Sequence, residues 1–202
     1  MVVNKIANIY SFKDKIKLIK DYIATKVLYR NQRIIRNPFI IRGRKMIKFG
    51  NNLTTGIGCR LEAFVADGDS SIKLNMGDNI QFNDYVHISA IRSVEIGNDV
   101  LIASHVYISD NSHGSYKGDL NDSSPDIVPI QRPYFVAPVK IGDRVWLGEG
   151  VIIMPGSEIG DGSIVGAHSI VSGIVPTNSI VAGSPARIIK IWDNTKKKWL
   201  KC

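Results

Sequence analysis

The stretch IGDRVW LGEGVI IMPGSE IGDGSI VGAHSI VSGIVP, residues 141–176, divides into six consecutive blocks of six. The first place of every block is aliphatic: Ile141, Leu147, Ile153, Ile159, Val165 and Val171. The second place is small in five of the six blocks, and the fifth is Val or Ser throughout. A period of six suits neither an α-helix nor a long flat strand. It suits short strands joined at corners, with an aliphatic directed inward on each flat and a small residue where the chain bends. Val and Ile favour the extended flats, and Gly accepts the corner dihedrals. Each rung buries its aliphatics only against the rungs above and below, so the pattern calls for a stack.

The same phase extends upstream. It recurs as MGDNIQ FNDYVH from Met76, as IGNDVL IASHVY ISDNSH from Ile96, and more weakly as FGNNLT TGIGCR from Phe49. Two breaks interrupt it. Ile88 and Ile96 are eight apart, which predicts two extra residues bulging out near 90–92. Between Ile108 and Ile141 lies a polar stretch, 111–138, too long for a corner. It reads as an excursion loop, and long loops carried on rigid scaffolds tend to hold function.

Before the repeat, 11–31 reads as a helix. Ser11 with Asp14 forms a cap pattern, and Phe12, Ile16, Ile19, Ile23 and Val27 make an apolar stripe. The stripe is expected to pack on the body with Lys13, Lys17, Lys20 and Lys26 solvated. The alternative is a helix lying on an anionic membrane surface. The chain thus divides into a basic helical segment (1–48), an all-β domain of stacked hexads (49–191) with the excursion loop 111–138, and a short basic tail (192–202) containing Trp192 and Trp199.

Charge follows that division. The net charge is +8, yet residues 1–48 hold 13 Lys/Arg against Asp14 and Asp21, while the remainder holds 13 basic and 16 acidic residues. A nucleic-acid footprint would stripe positive charge over the fold, so no nucleic-acid partner is expected. Nor does any apolar run approach the roughly 18 residues of a membrane span. Residues 1–10 lack the pattern of a cleavable leader. Two cysteines, Cys59 and Cys202, make neither a disulfide framework nor a zinc cluster. These features point to a cytoplasmic protein, with the inner face of the membrane as the variant the basic helix suggests.

The residues IGNDVLIASHVYISDNSHG (96–114), PVKIGDRVWLGEGVIIMPGSEIGDGSIVGAHSIV (138–171) and VAGSPARIIK (181–190) resemble the left-handed β-helix, hexapeptide-repeat acyltransferases. The sugar O-acetyltransferases of the maltose/galactoside and lipopolysaccharide-modifying type look nearest. The resemblance implies a homotrimer of triangular prisms that uses acetyl-CoA and needs no metal. It also implies that His113, at the start of the excursion loop, acts as general base on a sugar hydroxyl. An imidazole ionises near pH 6.5 in ordinary surroundings, so much of it is free base at neutral pH. Asp110 is the candidate to orient the ring, with a backbone carbonyl as the alternative.

By the same resemblance Asn83, beside Asp84, belongs to the acceptor site. Ala103 matches a small residue at the thioester end of CoA, and Trp146 a ring flanking the groove. Gly148, Ala167 and Ser172 match places where the pantetheine arm lies on the β-helix edge, and Arg187 and Lys190 match phosphate partners. His168 and 177–179 depart from the pattern without touching these places. The N-terminal segment also departs, which argues against carrying over a maltose-type specificity.

Other residues admit two readings. Arg132, with Asp126, Gln131 and Tyr134, lies in the loop and is available to sugar. His87 and His105 read as corner residues; their spacing of eighteen would stack them, and three histidines at a trimer interface serve metal in related β-helices. The acyltransferase motifs favour group transfer over that. Outside O-acetylation, the sequence leaves open a non-catalytic β-helix scaffold for membrane or acidic partners, and N-acetylation of an amino sugar.

Overall fold

Three flats per coil and one aliphatic per flat make a triangular prism. The computed structural model describes residues 9–202; residues 1–8, with most of the stretch read for a leader, lie outside the described residues. The chain forms a left-handed parallel β-helix with three faces. The first face stacks Phe39–Arg42, Cys59–Ala63, His87–Ala90, Tyr107–Ser109, Ile152–Ile153 and Ile170–Val171. The second stacks Ile47–Lys48, Leu74–Met76, Val94–Ile96, Val139–Ile141, Glu158–Ile159 and Ile174–Val175. The third runs through Gln81–Phe82, Leu101–Ile102, Trp146–Leu147, Ile164–Val165 and Ser179–Ala182.

The hexad reading is met in detail. All six first-place aliphatics of 141–176 are at most 3% exposed. The fifth places are buried as well, and there Ser157 and Ser163 donate to Val171 O (3.0 Å) and Pro176 O (2.7 Å) of the next coil. A buried hydroxyl is tolerated because it finds a backbone partner. At the corner between the second and third faces, carboxylates and amides climb the stack. Asn98 N–H donates to Asp143 Oδ1 (2.7 Å), and Asp143 N–H to Asp161 Oδ1 (2.9 Å). A Cβ at Gly142 would stand 2.2 Å from Asp161 Oδ1, which explains the Gly-Asp pair at this place.

Three boundaries shift. The β-helix starts before residue 49, because Phe39–Arg42 and Ile47–Lys48 already pair in parallel with Cys59–Ala63 and Leu74–Met76. Their outward residues Arg42, Arg44 and Lys48 break the hexad pattern and hid the coil. The tail is likewise part of the stack: Arg187–Asp193 folds back antiparallel on Ser179–Ala182, and Lys198–Lys201 on Arg187–Asp193. Trp192 and Trp199 pack edge-to-face there, 5.4 Å apart. The excursion loop is not wholly irregular, since Asn111–His113 pairs antiparallel with Tyr134–Val136.

The helix Phe12–Leu28 forms with the Ser11/Asp14 capping box, but its orientation reverses the expectation. Asp21 and Thr25 are the residues it buries. Asp21 Oδ1 accepts from the Asn37 amide (3.0 Å), and Thr25 Oγ1 accepts from Ile35 N–H (2.8 Å). The apolar stripe instead faces outward, with Phe12 79% and Val27 72% exposed. These polar ties to the first coil hold the helix by its hydrophilic side.

Candidate active site

The excursion loop leaves the prism where the first face turns into the second, and it roofs the outer surface of the first face. Beneath it lies a groove of about 1000 Å³, large enough for one or two sugar rings. His113 lies on the rim, at the end of the strand Asn111–His113. Its ring packs on Tyr134 across the antiparallel pair, centroids 4.5 Å apart, with Tyr134 Oη 3.4 Å from His113 Nε2. Tyr116 Oη donates to His113 O (2.6 Å) and accepts from Arg132 Nη1 (2.8 Å).

Arg132 is therefore engaged in the loop itself. Its Nε also donates to Ile127 O at 2.9 Å, so it braces the segment carrying His113 instead of offering its fork to sugar. Asp110 needs the same correction. It is fully buried, and its carboxylate accepts from the N–H groups of Ile91 (2.9 Å), Arg92 (2.6 Å) and Ser93 (2.7 Å) and from the Asn111 amide (3.0 Å). These bonds turn the Asp110 carboxylate toward the 91–93 turn and not toward His113. Asp110 thus fixes the bulge that the eight-residue spacing announced. Replacing Asp110 with alanine leaves three backbone donors without their acceptor, each worth about 1–3 kcal/mol if kept from water. The turn is partly open to solvent, so we expect a loss of about 2–4 kcal/mol. That corresponds to a fall in Tm of roughly 5–15 °C for a chain of this size. Thermal melting checks this, with Asp110→Asn falling between.

The other expected site residues sort onto two edges. Asn83, Ala103 and Gly148 stack at the corner between the third and first faces: Asn83 N–H donates to Ile102 O (2.8 Å) and Ala103 N–H to Leu147 O (2.9 Å). Ala167 lies against Gly148, where an added Cβ would come within 2.7 Å of Ala167 N. Trp146 projects from the third face beside this corner, 47% exposed and paired with Leu101 and Ile164. Lys190 pairs with Ile180 on the same face, and Arg187 with Ala182. Asp84 is a corner brace whose Oδ1 accepts from Ile57 N–H (2.8 Å). Ser172 stands apart, at the corner between first and second faces that also carries His113. Within the chain the first face separates Asn83 and Trp146 from His113.

Sequence reading missed the floor of the groove. Glu62, whose side chain is 3% exposed, gathers Arg42 Nη1 (2.8 Å), Arg60 Nη2 (2.5 Å) and His87 Nε2 (2.9 Å). Burial raises its carboxyl, but the Arg60 and His87 hydrogen bonds and the charges of Arg60 and Arg42 outweigh that and hold it below the usual range. His87 sits on the flat of the first face over Tyr107, not at a corner, and His105 stacks on Tyr85. The two histidines therefore do not pair. The available signal was Arg60 and Glu62 two apart on one strand, both outward.

Among the described residues, the cysteine and serines nearest the groove are held away from a nucleophile's role. Cys59 is buried, donates to Asn83 O (3.1 Å), and is pushed up to about 11 chiefly by burial. Ser109 and Ser112, which line the groove, donate to backbone carbonyls at 2.9 and 3.0 Å. Among the described residues no cluster of three or more His, Cys, Asp or Glu side chains could hold a metal ion.

Residues 138–173 match the family model described as bacterial transferase hexapeptide, six repeats. Over 99% of its length the chain is 48% identical to the whole of WbbJ of Escherichia coli strain K12, a protein named for lipopolysaccharide biosynthesis O-acetyl transfer. The chain belongs to the hexapeptide-repeat transferase family. Another member, galactoside O-acetyltransferase of E. coli K12, is 35% identical over 63% of this chain and 59% of its own. Among solved structures, a maltose O-acetyltransferase of Clostridium difficile 630 superposes with a TM-score of 0.60 at 27% identity, covering 92% of each chain. AntD of Bacillus cereus, an N-acyltransferase solved with coenzyme A, shares the fold at a TM-score of 0.66 and 23% identity, over 82% of this chain and 83% of that one.

Proposed function

We propose that this hexapeptide-repeat transferase is an acetyl-CoA-dependent O-acetyltransferase acting on a sugar hydroxyl of a surface-polysaccharide precursor. The observation that carries the reading is His113 on the rim of a sugar-sized groove whose serine hydroxyls, Ser109 and Ser112, are committed to backbone carbonyls. Bound acetyl-CoA supplies a thioester carbonyl open to attack. His113 takes the proton of the acceptor hydroxyl as that oxygen forms its bond to the acetyl carbon. The carbon–sulfur bond breaks, and the proton passes to the departing sulfur. Ser109 and Ser112, committed to backbone carbonyls, and the buried Cys59 thiol support this direct transfer.

The ledge of Ala103, Gly148 and Ala167 suits an amide-bearing arm, because no bulky side chain projects from these stacked corners. Arg187 and Lys190 lie on the same face and suit phosphates. That ledge and His113 stand on different corners, which supports a homotrimer whose site is built from one protomer's histidine edge and its neighbour's ledge. Calorimetric titration with acetyl-CoA tests the donor site: binding is expected in wild type and weakens in Arg187→Ala. Thiol release against a panel of sugars then reads transfer. Absence of binding up to millimolar acetyl-CoA would overturn the reading.

No helix among the described residues is long and apolar enough to cross a membrane, but the outward stripe supports contact with one. At about 100° per residue, Phe12, Ile16, Ile19, Ile23 and Val27 occupy roughly 80° of arc, opposite Asp21 and Thr25. Lys13, Lys17 and Lys20 flank that arc on one side and Lys15 on the other. The helix thus presents an apolar strip between lysines, the form that beds into an anionic bilayer surface. Co-sedimentation with phosphatidylglycerol vesicles is expected for wild type, and is lost in Ile19→Glu/Ile23→Glu.

A further inference from the structure

We infer that the Arg60–Glu62–His87 cluster is an acceptor subsite for an anionic oxygen group, a carboxylate or a phosphate carried by the acceptor glycan. The inference rests on the proposed acetyl transfer and adds what the acceptor must carry. The cluster lies in the groove that His113 rims, so one ligand can reach both. Two guanidiniums, Arg42 and Arg60, face the ionised Glu62. Arg42 shares Glu62 from outside the groove lining, with its side chain 62% exposed, so Glu62 answers the Arg60 charge only in part. Asp67 also lines the groove, but it is solvent-exposed and its charge is screened.

Arg60 is placed to deliver that charge. Its Nη2 binds Glu62, its Nε–H is buried without a partner among the described residues, and its side chain is 41% exposed. Glu62 therefore fixes the guanidinium on the groove wall with the side chain still partly exposed, while the buried Nε–H faces away from any ligand there. A planar fork held in this way matches the two oxygens of a carboxylate or phosphate, whereas a neutral diol would leave the charge unanswered. His87, ring to ring with Tyr107 at 5.0 Å, forms the adjoining wall. Tyr134 and Phe64 add apolar surface suited to the ring faces of a sugar.

Three probes test the subsite by ligand-observed NMR titration: glucose, glucuronic acid and glucose 1-phosphate. Each is titrated into wild type, Arg60→Gln and Arg60→Lys, after thermal melts show the variants folded. We expect wild type to bind at least one anionic probe about tenfold more tightly than glucose. Arg60→Gln should abolish that preference without changing glucose, and Arg60→Lys should keep part of it. Preference for glucuronic acid assigns the anion to an acidic sugar; preference for glucose 1-phosphate assigns it to a phosphate linkage. Equal binding of all three probes, no binding of any, or a preference that survives Arg60→Gln overturns the inference. Acetyl-CoA titration of the same samples reads the donor site separately. Its loss would count against the transferase reading, and its retention without an anion preference would count against the subsite alone.

Discussion

Replacing His113 with alanine lowers turnover by about 10²–10⁴-fold, the span usual for removal of a general base. The same substitution leaves acetyl-CoA affinity unchanged, because the ledge and the basic residues suited to the donor lie on another edge of the prism. It also leaves the fold intact, since the His113 side chain is exposed and meets the Tyr134 hydroxyl at a loose 3.4 Å. Thiol release at saturating acetyl-CoA measures the first effect, calorimetry the second and thermal melting the third. Wild-type turnover in a folded His113→Ala protein would remove His113 from the chemistry. Loss of turnover together with loss of acetyl-CoA binding would instead point to a disturbed site. Tyr134→Phe discriminates further: a hydroxyl that helps to position the imidazole lowers kcat, and one that only packs leaves kcat alone.

Why His113 was legible in the sequence and the groove floor was not comes down to periodicity. A hexad constrains what points inward, so Ile141, Leu147 and Ile153 announce their burial from the sequence. Phase breaks mark where chain leaves the stack, and the break after Ile108 placed His113 at the mouth of the loop. Outward residues obey no period. Arg60, Glu62 and His87 come from two coils, 25 residues apart between Glu62 and His87, and meet only because the coils register in parallel. Asp110 shows the converse. A carboxylate three residues before the histidine looks like its orienting partner, but the strand Tyr107–Ser109 ends there and turns Asp110 into the body, toward the bulge at 91–93. The helix was misjudged for a related reason: an apolar stripe normally signals the packed side, yet Asp21 and Thr25 find specific backbone and amide partners that fix the opposite side.

Mixing two inactive variants restores activity if the site is shared between protomers. His113→Ala removes the base from one edge, and Trp146→Ala/Arg187→Ala weakens the donor ledge on the other. Each variant alone assembles without a complete site. In a hybrid population formed at equal amounts, each interface pairs one histidine edge with one neighbouring ledge. Both are intact when the double variant supplies the histidine and the His113 variant supplies the ledge, so about one interface in four is whole under random assembly. Thiol release per protomer should rise from near zero in both parents to about a quarter of wild type at subsaturating acetyl-CoA. The first face stands between Trp146 and His113 in a single chain, and two neighbouring prisms would bring those corners together, which is the ground for this expectation. Hybrids no more active than the average of their parents would place both edges in the service of one protomer. The groove under the excursion loop would then have to accept acetyl-CoA as well as sugar, and Tyr134 and Met154, which line it, would become the residues to vary.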